Sequence, residues 1–181
     1  MRVISGTARG MKLDAPEGLS TRPTADRVKE GIFSSIAFRV PGAKVLDLFA
    51  GSGQMGIESL SRGAVSCTFV DMDRKAVKTV ESNLARCSMR DRSKVYNTTA
   101  ESFLSRNREK FDIVFMDPPY NMEILQKLIP AVYDCLADDG IIIAESEAGW
   151  ELKRPVEGLA ELKRYRYGSI QVTKFRKERE E

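Results

Sequence analysis

From Ala43 onward, short continuous apolar runs alternate with stretches whose apolar residues recur every three or four positions. The runs Lys44–Phe49, Ser66–Asp71, Lys94–Thr98, Phe111–Asp117 and Gly140–Glu145 predict strands. The intervening stretches Gly53–Arg62, Arg74–Cys87, Ala100–Asn107 and Met122–Ala137 predict helices. Apolar strands separated by helices of this length indicate an α/β fold: a central, mostly parallel sheet with helices on both faces. Ala160–Tyr167 and Ser169–Phe175 read as two strands turning at Gly168, a hairpin that would close one edge of the sheet antiparallel.

The first forty residues read differently. Arg2–Ser5 and Met11–Asp14 flank Gly6-Thr-Ala-Arg-Gly10 as a hairpin, and Ala15–Pro23 reads as a loop. Thr24 is placed to cap a helix, with Asp26 in its first turn. Val28, Ile32, Phe33 and Ile36 share one face of that helix, and Pro41-Gly42 ends it. The expected organisation is a hairpin-and-helix extension over residues 1–41, joined to one compact sheet domain over residues 42–181. The acidic end, Glu178–Glu181, reads as a frayed tail.

With 181 residues and a 42% hydrophobic fraction, the chain can bury a core of ordinary size. The start, Met1-Arg-Val-Ile-Ser-Gly6, lacks the apolar centre of a signal peptide. No apolar run approaches the roughly 20 residues that span a bilayer. A soluble, cytoplasmic monomer is expected. Cys67, Cys87 and Cys135 fit neither a disulfide framework nor a zinc pattern, and read as buried or half-buried thiols. There is no histidine, which removes Ser-His and Cys-His hydrolysis and every His-based metal site.

Charge is uneven. Residues 1–40 carry seven basic against four acidic side chains and residues 151–181 nine against six, while residues 41–150 carry thirteen against sixteen. Basic ends around an acidic middle suit a polyanion held near a small neutral or cationic ligand, although ordinary surface charge gives the same sums.

Two motifs carry chemistry. Phe111–Met116 runs into Asp117-Pro118-Pro119-Tyr120. Two prolines at a strand's carboxyl edge stop the strand and stiffen the chain. They leave an acceptor-rich corner, made by the Asp117 carboxylate and the Pro118 carbonyl, with the Tyr120 ring beside it. Such a corner can hold a planar heterocycle by stacking while its oxygens grip an exocyclic amine. The second motif is Val45-Leu-Asp-Leu-Phe-Ala-Gly-Ser-Gly53, a strand entering a glycine turn that opens a helix. Gly51-Ser-Gly-Gln-Met-Gly56 matches the dinucleotide fingerprint, so a nicotinamide cofactor has to be considered. Asp47 argues against it, because a carboxylate inside the strand end would crowd a pyrophosphate but suits a cationic amino-acid moiety. Asp71 ends the next strand, 20 residues after Gly51, where an acid accepts hydrogen bonds from ribose hydroxyls. Asp73 reads as the cap of the following helix.

At these residues the chain resembles the class I S-adenosylmethionine-dependent methyltransferases. More narrowly, it resembles the RsmD family of small-subunit rRNA guanine-N2 methyltransferases. The marks are Arg2-Val-Ile-Ser-Gly6, Thr21-Arg-Pro-Thr-Ala-Asp-Arg-Val-Lys-Glu30, Val45–Gly53, Gly56-Ile-Glu58, Ser61-Arg-Gly-Ala64 and Asp117-Pro-Pro-Tyr120. The resemblance implies a Rossmann-like fold, S-adenosylmethionine as cofactor, and ribosomal RNA or the small ribosomal subunit as partner, with no metal and no membrane. It further implies that Asp47, Phe49, Ala50, Gly51, Ser52 and Gly53 line the methionine side of the cofactor pocket. Asp71 would bind the ribose, and Met72 would pack on the adenine next to Thr99 and Ala100. Asp117, Pro118, Pro119 and Tyr120 would form the catalytic corner, and Arg22, Thr24 and Arg27 the substrate entrance. Two departures stand out. Thr99 occupies the place of the usual adenine-reading aspartate, and Gln54-Met55 replaces the small and aliphatic residues usual after the second glycine.

Substrate affinity is expected from Arg9, Lys12, Arg22, Arg27 and Lys29. Other readings stay open. The tetrapeptide also serves N6-adenine and N4-cytosine DNA methyltransferases, although nothing in 181 residues offers a target-recognition domain. A protein amino-group methyltransferase, a non-catalytic RNA-binding assembly factor and a nicotinamide enzyme complete the alternatives.

Overall fold

A computed structural model describes residues 1–16, 26–118 and 122–178. Its centre is a seven-stranded sheet in the order β3-β2-β1-β4-β5-β7-β6. The strands are β1 (Lys44–Asp47), β2 (Ser66–Asp71), β3 (Ser93–Asn97), β4 (Phe111–Met116), β5 (Leu136–Glu147), β6 (Leu159–Tyr167) and β7 (Ile170–Lys177). The first five are parallel, while β7 runs antiparallel to both β5 and β6. The expected hairpin is therefore present, with β7 on the inside and β6 forming the edge.

Side chains alternate across each strand, and the two faces bury different sets. Val45, Cys67, Phe69, Ile113, Phe115, Ile141 and Val172 face α1 (Asp26–Ser35), α2 (Gln54–Ser61) and α3 (Arg74–Arg86). Leu46, Val70, Val114, Met116, Ile142 and Phe175 face α4 (Ala100–Arg106) and α5 (Met122–Cys135). In α1 the predicted face holds, with Val28, Ile32 and Phe33 buried and Ile36 buried just beyond it.

Most element ends differ from expectation by one or two residues, and three of the differences bear on the site or the sheet. β1 stops at Asp47 rather than Phe49, because the chain turns there toward Gly51, although the Ala50 N–H still bonds the Val70 carbonyl at 3.0 Å. β4 stops at Met116, which leaves Asp117 just past the strand. β5 begins at Leu136 rather than Gly140, since Ala137-Asp-Asp-Gly140, a turn by composition, is absorbed as an irregularity opposite β4, with Asp139 at a φ of 62°. The N-terminal hairpin is slight, a single antiparallel bridge between Arg2 and Lys12. Its Val3, Ala8 and Leu13 are buried in the core on the α1–α3 side.

Gly56 sets how closely α2 lies on the sheet. A Cβ there would fall 2.3 Å from Cε1 of Phe69 and 2.6 Å from Sγ of Cys67. Forcing atoms into such a contact costs about 1–3 kcal/mol. Gly56→Ala is therefore expected to lower the melting temperature by about 2–12 °C, at about 2–4 °C per kcal/mol for a chain of this size. An unchanged thermal melt would mean that α2 can lift away without cost.

Candidate active site

In a sheet of this order the crossovers leave β1 and β4 in opposite directions, which opens a crevice beyond their carboxyl ends. Three carboxyl groups lie along it: Asp47 at the end of β1, Asp71 at the end of β2 and Asp117 after β4. Asp47 is buried, and its Oδ2 accepts the Gly56 N–H at 3.0 Å. Burial pushes its pKa up to about 7, and the charges of Asp117 and Asp71 push the same way against that hydrogen bond. Asp117 keeps an exposed surface on the crevice, yet the protein crowding its carboxyl removes enough water to push it up to about 6. Neighbouring carboxylates that resist ionisation together form a site built to receive positive charge.

The glycine turn between β1 and α2 is closed by the Gly53 N–H on the Ala50 carbonyl at 2.6 Å. Gly51 and Gly53 have φ angles of 55° and 77°, a conformation that strains any residue with a Cβ. Beside Gly51 a Cβ would meet nothing within 4 Å, so the backbone there faces open space. Gly51 also donates its N–H to Asp71 Oδ2 at 2.8 Å, while Asp71 Oδ1 accepts from the Asp73 N–H at 2.9 Å. The Asp71 carboxylate thus already grips the turn and keeps further lone pairs for a ligand. Asp73 caps α3, as its sequence position suggested, accepting the Lys75 N–H at 2.8 Å.

Met72 is 73% exposed, which leaves its thioether surface open beside the end of β2. Its backbone is pinned by Asn97, whose Nδ2 donates to the Asp71 and Met72 carbonyls at 3.1 and 3.0 Å. Sequence reasoning did not single out Asn97; a polar amide at the end of β3 was its one signal. Thr99 caps α4, its Oγ1 accepting the Ser102 N–H at 3.2 Å, and Ala100 is buried at the start of that helix. Phe49 is half-buried, while Ala50 and Ser52 are buried in the turn. Gln54 is buried at the start of α2, and its Oε1 has no hydrogen-bond partner among the described residues. A buried acceptor in that state calls for a donor from elsewhere.

These features fit S-adenosylmethionine better than a pyrophosphate. The cofactor carries a sulfonium and an ammonium, and the crevice offers carboxyl groups, an open glycine cradle and an exposed thioether surface.

Of the expected substrate residues, Arg27 is exposed on the first turn of α1, and Arg9 and Lys12 are exposed on the N-terminal hairpin. Arg22, Thr24, Pro119 and Tyr120 lie outside the described residues; Pro118 is buried. Lys29 corrects the sequence reading. It is fully buried, with Nζ donating to the Arg2 carbonyl at 2.5 Å and lying 3.4 Å from Glu58 Oε2, so it cannot meet a substrate. Its pKa is lowered by burial, against the pull of Glu58. The cysteines are free, with Cys67 and Cys135 buried and Cys87 half-buried. Among the described residues no helix is long and apolar enough to cross a membrane, and no cluster of three metal-ligating side chains occurs.

Comparison with known proteins agrees with this geometry. The family described as Conserved hypothetical protein 95 matches residues 1–176. YlbH of Bacillus subtilis (strain 168) is 43% identical over 182 residues, covering 98% of this chain and 99% of that protein. Ribosomal RNA small subunit methyltransferase D of Escherichia coli (strain K12) is 39% identical over 165 residues, covering 85% and 83% respectively. The solved structure of yhhF from Escherichia coli has a TM-score of 0.90 to this fold at 34% identity, with 99% of each chain covered. The fold is thus the Rossmann-like methyltransferase fold. Because the family match runs without a break through the N-terminal hairpin, the glycine turn and the Asp117 corner, the chain belongs to the RsmD family of methyltransferases.

Proposed function

We propose that this enzyme transfers a methyl group from S-adenosylmethionine to the exocyclic N2 amine of a guanine in small-subunit ribosomal RNA. The observation that carries the reading is the acid-lined crevice at the β1/β4 switch point, in a chain whose relatives include the Escherichia coli ribosomal RNA small subunit methyltransferase D.

Asp47 and the Phe49–Gly53 turn would hold the methionine end of the cofactor, and Asp71 its ribose. Met72, Thr99 and Ala100 would flank the adenine. When bound, the cofactor supplies an electrophilic methyl group on a sulfonium sulfur. A guanine amine is a weak nucleophile because its lone pair is delocalised into the ring. The Asp117 carboxylate and the Pro118 carbonyl accept its N–H groups, which draws the nitrogen toward tetrahedral geometry and stabilises its developing positive charge. Pro119 stiffens the corner, and Tyr120 stacks on the base. The amine becomes acidic only as the methyl arrives, so its proton leaves late, to Asp117 or water. Alignment of nucleophile, methyl and sulfur can supply several kcal/mol of the acceleration. The target base has to be looped or flipped out, at a cost of about a few kcal/mol. Residues 1–41 form the substrate-facing extension, with Arg22, Thr24 and Arg27 at the entrance. Residues 42–181 form the cofactor-binding unit.

Transfer of tritiated methyl groups to small ribosomal subunits, naked rRNA, DNA and protein tests the substrate class. Label in the RNA fraction is expected. Label in DNA or protein alone would overturn the reading.

The raised carboxyl groups fix a pH dependence. Asp47 and Asp117, at about 7 and about 6, are substantially protonated at pH 6. A cationic ligand favours their ionised forms, so binding at pH 6 releases protons. Affinity is expected to rise as pH goes from 6 to 8 and to flatten above the raised values. Calorimetric titration with S-adenosylmethionine at pH 6.5, in two buffers of different ionisation enthalpy, measures the release. Uptake of protons would contradict the electrostatic picture.

A further inference from the structure

Asn83 lies on α3, fully buried, and both of its N–H donors and one lone pair of its oxygen are taken by backbone from two separate places. Nδ2 donates to the Ser52 carbonyl at 2.9 Å and to the Asp14 carbonyl at 3.0 Å, while Oδ1 accepts the Asp14 N–H at 2.9 Å. Ser52 is the middle residue of the Gly51–Gly53 turn. Asp14 lies near the end of the N-terminal arm, two residues after Lys12 and shortly before Arg22 in sequence. One planar carboxamide therefore spans the cofactor turn and the arm.

Further contacts bind the same parts. Ser52 Oγ lies 3.0 Å from Sδ of Met1. Glu58 and Ser61, on the helix that the glycine turn opens, hold the backbone of Ile4, Ser5 and Ala8 at 2.6–3.0 Å. Arg86 adds a clasp that never reaches the turn, donating to both Asp14 carboxylate oxygens at 2.6 and 3.1 Å and to the Lys12 carbonyl at 3.0 Å.

We propose that Asn83 is a positioning residue that couples occupancy of the glycine turn to the order of the N-terminal arm, so that a loaded cofactor presents the arm to RNA. A ligand resting on Gly51–Gly53 fixes the direction of the Ser52 carbonyl. The carboxamide is planar and both of its donors are engaged, so fixing one of its N–H groups orients the other N–H and the C=O that grip Asp14. By linkage, RNA held on the arm tightens the cofactor by the same factor. The RNA half of this inference rests on the function proposed above; the link between arm and turn does not.

Amide hydrogen exchange with and without saturating S-adenosylhomocysteine tests the link. In the wild type, the Leu13 and Asp14 amides are expected to exchange several-fold more slowly when the ligand is bound. Asn83→Asp keeps the size and the acceptor but loses both donors, and the ligand-dependent slowing should vanish in it. Arg86→Ala should speed exchange in both states yet keep the ligand-dependent difference, which a merely structural role for Asn83 would not separate. Should Asn83→Asp fail to fold, Asn83→Ala, small and uncharged, makes the same comparison. Slowing that survives loss of the carboxamide, or that is absent from the wild type, overturns the proposal.

The second readout is the affinity for small-subunit rRNA. S-adenosylhomocysteine should raise it several-fold in the wild type and leave it unchanged in Asn83→Asp; equal gains in both proteins would overturn the coupling. If the wild type methylates no rRNA while the exchange results hold, the functional reading fails and the link between turn and arm stands.

Discussion

Asp117→Ala is expected to lower kcat by about 10²–10³-fold or more, the usual cost of removing one group that stabilises developing charge. Affinity for S-adenosylhomocysteine should stay within a few-fold, because in the proposed mechanism Asp117 meets the reacting amine, while the glycine turn is held by Asp71. Asp117→Asn should retain more activity than Asp117→Ala, since its amide oxygen can still accept an N–H from the base. A further effect separates this role from a structural one. The Asp117 charge raises the pKa of Asp47, so its removal should move the pH midpoint of cofactor binding downward. A collapse of cofactor binding in Asp117→Ala would instead make the residue part of the cofactor pocket.

Glu58→Ala is expected to produce the largest loss of stability. Glu58 is fully buried on α2 and accepts four donors: the Ile4 and Ser5 N–H groups at 2.8 and 3.0 Å, Arg62 Nε at 2.7 Å and, more loosely, Lys29 Nζ at 3.4 Å. Removing it leaves the Lys29 ammonium buried without its carboxylate and takes the acceptor from the Ile4 and Ser5 N–H groups. Breaking one side of a buried pair costs about 3–5 kcal/mol. At about 2–4 °C per kcal/mol, the melting temperature should fall by roughly 6–20 °C. Lys29→Met should cost less, because Glu58 keeps Arg62 and both N–H groups. The melts of the two variants, followed by circular dichroism, check the order. A shift under about 3 °C in Glu58→Ala would show that water reaches the network. The same contacts hold the N-terminal arm on the helix that leaves the glycine turn, so the lost stability should appear first as exchange in residues 3–8.

The parts of this molecule that were legible in its sequence are those set by local pattern. Short apolar runs such as Ile113–Met116, stopped by a proline pair, read as strands covered on both faces, and the period of Val28, Ile32 and Phe33 fixed which side of α1 is buried. Asp71 could be placed because a strand end, an acid and a distance of 20 residues from Gly51 agree. Lys29 misled because lysine belongs on surfaces unless a partner is buried with it, and Glu58 is 29 residues away. Asn83 is invisible for the same reason, its partners Ser52 and Asp14 lying 31 and 69 residues off in a chain that must first fold to bring them together. The β5 boundary shows the opposite case. Asp138-Asp139-Gly140 carries every sign of a turn, yet pairing with β4 carries the strand across it.

The most direct test is nucleoside analysis of small-subunit rRNA after reaction with the enzyme and S-adenosylmethionine, using particles and naked rRNA from cells that lack the modification. N2-methylguanosine at one position, formed by the wild type and absent with Asp117→Ala, is the expected result. N6-methyladenosine in its place, or RNA left unmodified by an enzyme that binds its cofactor, would contradict it.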